Sequence, residues 1–465
     1  MKLSQYKVLL AAVLLLASGA ATAQINTVYF MRGVPERSAY NPAFQPQSKL
    51  FIDIPVMPNW RVDCGLPVRL SDAFVSKNIN GEEKTVLFLH PAAEAERDKF
   101  YNKLTKTSRF YTDFNFDILS FGFRIAERGY FTFNFSERLD AGIYLPKDLF
   151  HIVLYGTGEH GNFDLKKLGI DASLYSEMGF GYSHIIDERL TVGGKFKILL
   201  GQANIKTDFD RFNLVAGVDE WAVNGKGTLS ISAPITLPFK NDGNRETPDF
   251  GGMEYDDDFS FAGGSGIGID LGATFRLLPN LQLSAALTDL GFIRWKNNIT
   301  TMEVSDSYSF DGIDYIVGDD VDEIGSNLRD ELGDVFTDAL QRGDGKSYSS
   351  SLSTRLNIGG EYCLLNDKLG VGMLITTLFA NKSAYADVTA SANFRPLKWL
   401  APTLNATLHN GKFPTIGIGV HSQLGFYSLF FAVDRIPLRY SKNFIPVGIN
   451  GIAFQGGVSL AFGRD

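Results

Sequence analysis

The sequence predicts an all-β fold: a single closed antiparallel transmembrane β-barrel of about fourteen strands, with an N-terminal plug and a helical external loop. Three observations predict it. The chain opens with an export leader, long stretches alternate apolar and polar residues, and the connections alternate between short and long.

Lys2 and Lys7 flank the start of an apolar run from Val8 to Ala17, and small residues end at Ala21-Thr22-Ala23. This is the three-part pattern of a secretory signal peptide cleaved before Gln24, since the run is about half the roughly 20 residues a helix needs to span hydrocarbon. The only cysteines are Cys64 and Cys363, so none follows the cleavage site to carry a lipid. Whether these two pair or stay free is open at this level. The 52 acidic residues outnumber the 44 basic ones, for a net charge of -8, which excludes a nucleic-acid partner whose phosphates demand a basic face. No Pro- or Ser-rich linker divides the chain. The expected organisation is a signal peptide over 1–23, an N-terminal plug or periplasmic region over 24–112, and the barrel over 113–465.

From about Asp113 onward the period is two residues, the mark of a strand with one apolar and one polar face. In 383–395, Ala384, Ala386, Val388, Ala390, Ala392 and Phe394 share one face, opposite Ser383, Asp387, Thr389, Ser391, Asn393 and Arg395, with Tyr385 blurring the polar side. Residues 351–362 set Leu352, Leu356, Ile358 and Tyr362 against Ser351, Ser353, Arg355, Asn357 and Glu361, and residues 266–276 and 400–409 repeat the arrangement. A soluble sandwich alternates too. Length separates the two, because strands of about 10 to 18 residues exceed the usual five or six and suffice to cross a bilayer at a tilt. Trp295, Tyr362, Phe394, Trp399, Phe426 and Tyr427 stand near strand ends, where membrane barrels carry interfacial aromatics.

The predicted strands are 114–125, 129–137, 170–184, 189–206, 218–233, 260–277, 281–296, 349–364, 368–380, 383–395, 399–409, 415–423, 426–436 and 451–463. With the C-terminus periplasmic, the long connections 234–259, 297–348 and 437–450 fall outside, and the tight turns at Pro279-Asn280, Asn366-Asp367, Pro396-Leu397 and Gly425 fall inside. The connection 138–169 breaks this rule by being both long and periplasmic. Val321, Ile324, Leu328, Leu332, Val335, Phe336 and Ala339 recur at helical spacing in the longest loop, and a weaker helix is expected near 92–105.

Gln455, Gly457, Leu460 and Phe462 resemble the C-terminal assembly signal of outer-membrane barrels, although Gly463-Arg464-Asp465 follow where an aromatic usually ends the chain. Asn41-Pro42-Ala43, ahead of the strands, resembles the Asn-Pro-Ala element of the long-chain fatty-acid transporter-like (FadL-like) barrels, a superfamily that includes the PorV-like barrels of type IX secretion. The segment Asp289 to Trp295 at a strand end looks like a recurrent feature of uncharacterised barrels in the same group. The resemblance implies fourteen strands, a lumen plugged by N-terminal residues, and passage of a small hydrophobic compound across the outer membrane. Its other branch implies a non-conducting scaffold or secretion-associated assembly protein. The partners implied are outer-membrane lipid, a hydrophobic small molecule, the barrel assembly machinery and, for the scaffold, a secretion-system component.

Catalytic signatures are missing. His90, His151, His160, His184, His409 and His421 have no metalloprotease spacing, and no serine stands in a nucleophile elbow. Gly264, Gly266 and Gly268 fall within a predicted strand, where close packing explains them better than phosphate binding. The runs Asp256–Asp258 and Asp319-Asp320 lack the full calcium-loop pattern and read as solvated charge. No enzyme activity, cofactor or metal is expected. The mature chain should begin at Gln24 and behave as a heat-modifiable outer-membrane protein, as N-terminal sequencing and gel migration of fractionated cells will test; recovery as a soluble periplasmic protein would overturn the barrel.

Overall fold

Each alternating stretch becomes a strand, and the strands pair antiparallel in one sheet that closes on itself. The computed structural model describes residues 26–463 apart from 55–58, 80, 88–92, 158–160, 218–220, 243–244, 256–262, 311–338, 381–382, 412, 437–447 and 449. The principal strands are β1 (Leu50–Asp53), β2 (Trp60–Gly65), β3 (Thr107–Ile125), β4 (Gly129–Pro146), β5 (Gly169–Ile185), β6 (Leu190–Ala216), β7 (Trp221–Ser232), β8 (Gly264–Leu278) and β9 (Leu281–Trp295). They continue with β10 (Ile299–Phe310), β11 (Thr354–Leu364), β12 (Leu369–Ala380), β13 (Ser383–Phe394), β14 (Leu400–His409), β15 (Phe413–Leu424), β16 (Tyr427–Ile436) and β17 (Gly451–Phe462). Fourteen strands make the wall, with β1 and β2 acting as one and β7 and β10 standing outside it.

Closure differs from expectation. The first and last long strands, β3 and β17, do not pair with each other but with the N-terminal strands between them: Leu50 opposes Phe462 and Phe123, and Trp60 opposes Gly456 and Phe116. The region 24–112, expected as an N-terminal plug or periplasmic region, has three parts among its described residues. Residues 26–48 run through the lumen, and 50–53 and 60–65 join the wall. At the outer rim, a hairpin (Phe74–Ile79 with Glu82–Leu87) accompanies helix α1 (Glu94–Lys103). This helix is the one expected near 92–105, and it packs through Phe100 on Phe150 of α2 (Lys147–Tyr155).

The predicted wall strand 218–233 is β7, and it leaves the wall. It pairs with the upper part of β6, Trp221 opposite Ala216 and Ser232 opposite Asn204, and with β10 on its other side. Its apolar face turns to an external core of Phe212, Leu214, Val223, Ile231 and Met302 instead of to lipid, a difference that alternation alone does not encode. Removing β7 from the wall and adding β1–β2 keeps the count at fourteen but reverses every strand upstream. The long connection after β4 then lies outside, which removes the exception that 138–169 presented.

Facing follows the predicted alternation. Along β13, Tyr385, Asp387, Thr389, Ser391 and Asn393 are buried in the lumen while Val388 and Phe394 are exposed. The outward residues Leu271, Ile358, Met373, Val388, Leu404, Ile418 and Ile452 belong to an apolar belt of a kind that a water-soluble monomer rarely shows. In hydrocarbon the belt is the solvent-facing surface, and the protein is an outer-membrane β-barrel. Tyr362, Phe394, Trp399, Phe426 and Tyr427 are exposed at one rim. Trp295 is not part of that girdle: it is fully buried with Tyr175, Leu199, Ile293 and Leu352, and its Nε1 donates to Ser350 Oγ at 2.9 Å. Leu352 likewise turns inward, because the strand breaks after Ser351 before β11 resumes at Thr354.

Cys64 and Cys363 are free, on strands at opposite rims of the wall. The leader, the acidic runs 256–258 and 319–320 and nearly all of the helix expected over 321–339 lie outside the described residues. Val388 sits midway along β13 on the lipid face, so Val388→Arg should cost about 2–4 kcal/mol near the bilayer midplane. Urea unfolding in lipid vesicles measures it, with Val388→Leu as the neutral control; a cost below about 0.5 kcal/mol would mean that this face does not meet lipid.

Candidate functional site

Inward alternation places charged side chains from eight strands at one level of the lumen. Asp289 is their centre. Lys197 Nζ lies 2.6 Å from Asp289 Oδ1 and 2.8 Å from Asp270 Oδ1, and guanidinium nitrogens of Arg138 and Arg355 each lie 3.4 Å from Asp289 Oδ2. Arg138 also meets Glu177 at 2.8 Å, and Asp113 bridges Arg355 to Arg61, the latter at 2.9 Å. Four cations thus face four carboxylates, and all eight groups are largely buried. Balance of this kind is what a water-poor lumen requires, because an unpaired buried charge costs several kcal/mol.

The backbone is shaped to allow it. Asp289 has φ +59°, and the β8–β9 register shifts beside it, so Thr288 and Asp289 both turn inward. A bulge inserts one extra residue and re-aims its side chain. Asp270 Oδ1 accepts from the Asp289 backbone N–H at 2.7 Å and fixes the bulge. The sequence marks Asp289 to Trp295 as notable; only the fold shows that its first residue is the hub.

Residues 26–48 lie against inward-facing groups of the wall. Asn41 is fully buried: its Oδ1 accepts from the Ala43 N–H at 2.9 Å, and its Nδ2 donates to the carbonyls of Ala273 and Ala285 at 3.3 and 3.2 Å. Asn41-Pro42-Ala43 is thereby a tight turn pressed against the wall between β6, β8 and β9. Close approach is possible because Gly193 and Gly272, paired across β6 and β8, lack side chains; a Cβ would stand 2.3 Å from Pro42 O and 2.0 Å from Asn41 Oδ1. Tyr29, Phe30, Tyr40 and Phe44 form an aromatic cluster, with Arg37 Cζ 4.0 Å above the Phe44 ring. Burial pulls the Arg37 guanidinium down to about 10 and pushes the Tyr40 phenol up to about 12, so at neutral pH the first stays charged and the second neutral.

The C-terminal residues singled out in the sequence separate by face. Gln455 and Gly457 point inward, while Leu460 and Phe462 lie on the lipid side, where Phe462 stacks on Phe426 at 5.9 Å. Gln455 accepts from Tyr40 Oη at 2.6 Å and donates to Asn59 Oδ1 at 3.1 Å, joining the luminal segment to the last strand. Among the other luminal charges, Glu361 accepts from Arg32 at 2.7 Å, whereas Asp387 is met by His409 at 3.0 Å and Arg355 stays within the wall network. A chamber of about 60 Å³ remains between the charged layer and the luminal segment, lined by Glu36, Asn59, Arg61, Asp117, Lys195 and Asp289 among others. Space of that order holds about four waters. Among the described residues no cluster of His, Cys, Asp and Glu is arranged to hold a metal.

The pattern of a family of unknown function (DUF5723) matches residues 42–434 of the chain. No curated protein matches its sequence. Among solved structures it is similar to the Ralstonia pickettii toluene transporter TbuX, with a TM-score of 0.41 and 11% identity over 96% of each chain. A Pseudomonas aeruginosa FadL homologue gives a TM-score of 0.40 at 11% identity, over 96% of this chain and 100% of that one. The translocator domain of the autotransporter NalP from Neisseria meningitidis gives 0.32 at 8% identity, over 94% and 96%.

Asp289→Ala leaves Lys197, Arg138 and Arg355 with a missing counter-charge and should lower unfolding stability by about 3–5 kcal/mol. Asp289→Asn, which tolerates the left-handed backbone, should cost less than the alanine variant. Equal stability of Asp289→Ala and the parent in urea unfolding would remove Asp289 from the centre of the network.

Proposed function

The chain belongs to the DUF5723 family of unknown function, and we propose that it passes a small hydrophobic compound across the outer membrane, releasing it sideways through the wall. The observation that carries the reading is a register jump in the closing strand. Asp53 opposes Ser459, Ile54 N donates to Val458 O at 3.0 Å and Trp60 opposes Gly456, so the pairing advances six positions along the N-terminal chain from Ile54 to Trp60 against two along β17. From inside, Phe51, Asn59 and Ser120 line the chamber at this point. On the lipid side lies an apolar groove of about 310 Å³, lined by Trp60, Val420, Leu429, Phe431, Gly456 and Val458. On β17 this place is held by Gly456 and Gly457, and a Cβ on Gly457 would lie 3.0 Å from both Asn59 Cα and Phe430 Cε1.

The rest of the lumen suits this route. Entry from outside meets the apolar layer of Tyr175, Leu199, Ile293, Trp295 and Leu352, whereas straight passage to the periplasm meets the ion-paired layer and the luminal segment, which acts as a plug. A lipophile finds no favourable partner among paired charges and leaves toward hydrocarbon.

Entry of the fluorescent lipophile N-phenylnaphthylamine into cells should be faster with the intact protein than without it, and Gly456→Leu, which fills the groove, should slow it. Planar-bilayer conductance should rise when residues 24–48 are removed. If the intact barrel does not accelerate entry and the truncated one folds without conducting, passage is the wrong class of function.

A further inference from the structure

The luminal segment is fastened to the wall mainly by neutral hydrogen bonds and by Arg32, but one contact is of a different kind. Glu36 of that segment and Asp53 of β1 lie within hydrogen-bonding reach of each other, 6% and 2% exposed. None of their four carboxyl oxygens has a partner of strict hydrogen-bonding geometry; the donors within looser reach are the Ser120 hydroxyl for Asp53 and the backbone N–H of Glu36 for its own carboxyl. Two carboxylates cannot stand side by side in a water-poor lumen, whereas a carboxylic acid donating to a carboxylate can.

We propose that Glu36 and Asp53 share one proton, forming a latch that holds the luminal segment against the closing strand and releases it on deprotonation. The charged surroundings supply no substitute for that proton. Asp117 of β3 faces the pair and adds negative charge, its own oxygens already accepting from Asn59, Asn115 and Ser136. Across the chamber, Arg61 and Arg138 are committed to Asp113 and Glu177, and Lys195 donates to Asn134. Burial pushes the Glu36 carboxyl from 4.5 up to about 7, with Asp117 adding to the rise and its backbone N–H and Asp53 only partly offsetting it.

The direction follows from that rise. A carboxyl raised in the folded state contributes stability that is fully present below its unfolded value and is lost as pH climbs through the folded one. The luminal segment is therefore held firmly in acid and loosened above about pH 7. On release the shared proton passes to solvent, leaving two carboxylates that repel each other. Asp53 is the last residue of β1 before the register jump, so the latch acts at the edge of the place where the wall is least continuous. It rests on the position of the segment alone and does not require that any compound crosses.

Hydrogen exchange of the full chain in detergent, corrected for the intrinsic pH dependence, tests it. Protection of residues 26–48 should fall by about tenfold or more from about pH 5 to about pH 9 while β11 to β15 are unaffected. Glu36→Gln and Asp53→Asn, in which an amide donates permanently, should each keep the segment protected throughout. Heat-modifiable migration identifies which variant has folded, and either one alone decides. A flat profile in the parent, or the parent's profile retained in a folded variant, would overturn the latch. So would protection that follows added calcium or chelator and not pH, which would put a metal ion in place of the proton.

Discussion

The edges of β3 and β17 set the constraint on which everything else depends. In hydrocarbon an unpaired row of backbone N–H and C=O groups costs several kcal/mol per group, so an open sheet cannot persist there. These two strands do not meet each other. Residues 50–53 and 60–65 lie between them and pair with both, so closure of the wall and placement of the segment just before it are one event. That is why residues 26–48 end up inside: a chain entering the wall from the periplasmic rim, with its preceding residues beneath the outer vestibule, has the lumen as its nearest space to fill.

Filling that space imposes its own chemistry. The inward face is polar, and polar groups removed from water need partners. The lumen meets this demand in two ways. Near the outer half, charges from separate strands neutralise one another around Asp289, whose bulged backbone buys the extra reach. Elsewhere around the lumen, the luminal segment supplies the partners: Thr27 to Asp434 at 2.6 Å, Asn26 to Thr389 at 2.8 Å and Tyr29 to Ser284 at 2.7 Å. The Glu36–Asp53 contact is the exception to neutral or opposite-charge pairing, which is what singles it out as responsive.

The same division separates rigid from yielding parts of the wall. Long ladders such as β3–β4 and β12–β13 run with one register shift or none. The closing strand is the weak member, short on both sides of its jump and facing two consecutive glycines on β17. A barrel whose least continuous strand is also the strand tied to its luminal segment couples the two mechanically, since motion of the segment pulls on the edge of the gap.

The sequence by itself determined the barrel, its polar lumen and its apolar belt, because a period of two residues is a local property that any sheet must convert into two faces. It also marked Asn41-Pro42-Ala43 and the start of the Asp289 segment, both of which depend on local backbone chemistry. What it did not contain was which surface each face would meet. The alternation of β7 is as regular as that of β13, yet one faces an external protein core and the other lipid. Residues 50–65 are too short and too interrupted to announce a membrane strand, and become one only because two long edges need a partner. Trp295 is an aromatic at a strand end, like the girdle residues, but its rim is covered by protein. The ion-paired hub was invisible for the same reason: Arg61, Asp113, Arg138, Glu177, Lys197, Asp270, Asp289 and Arg355 are scattered over nearly 300 residues of chain. Only the curvature of the closed sheet brings them to one height, where burial forces them to pair.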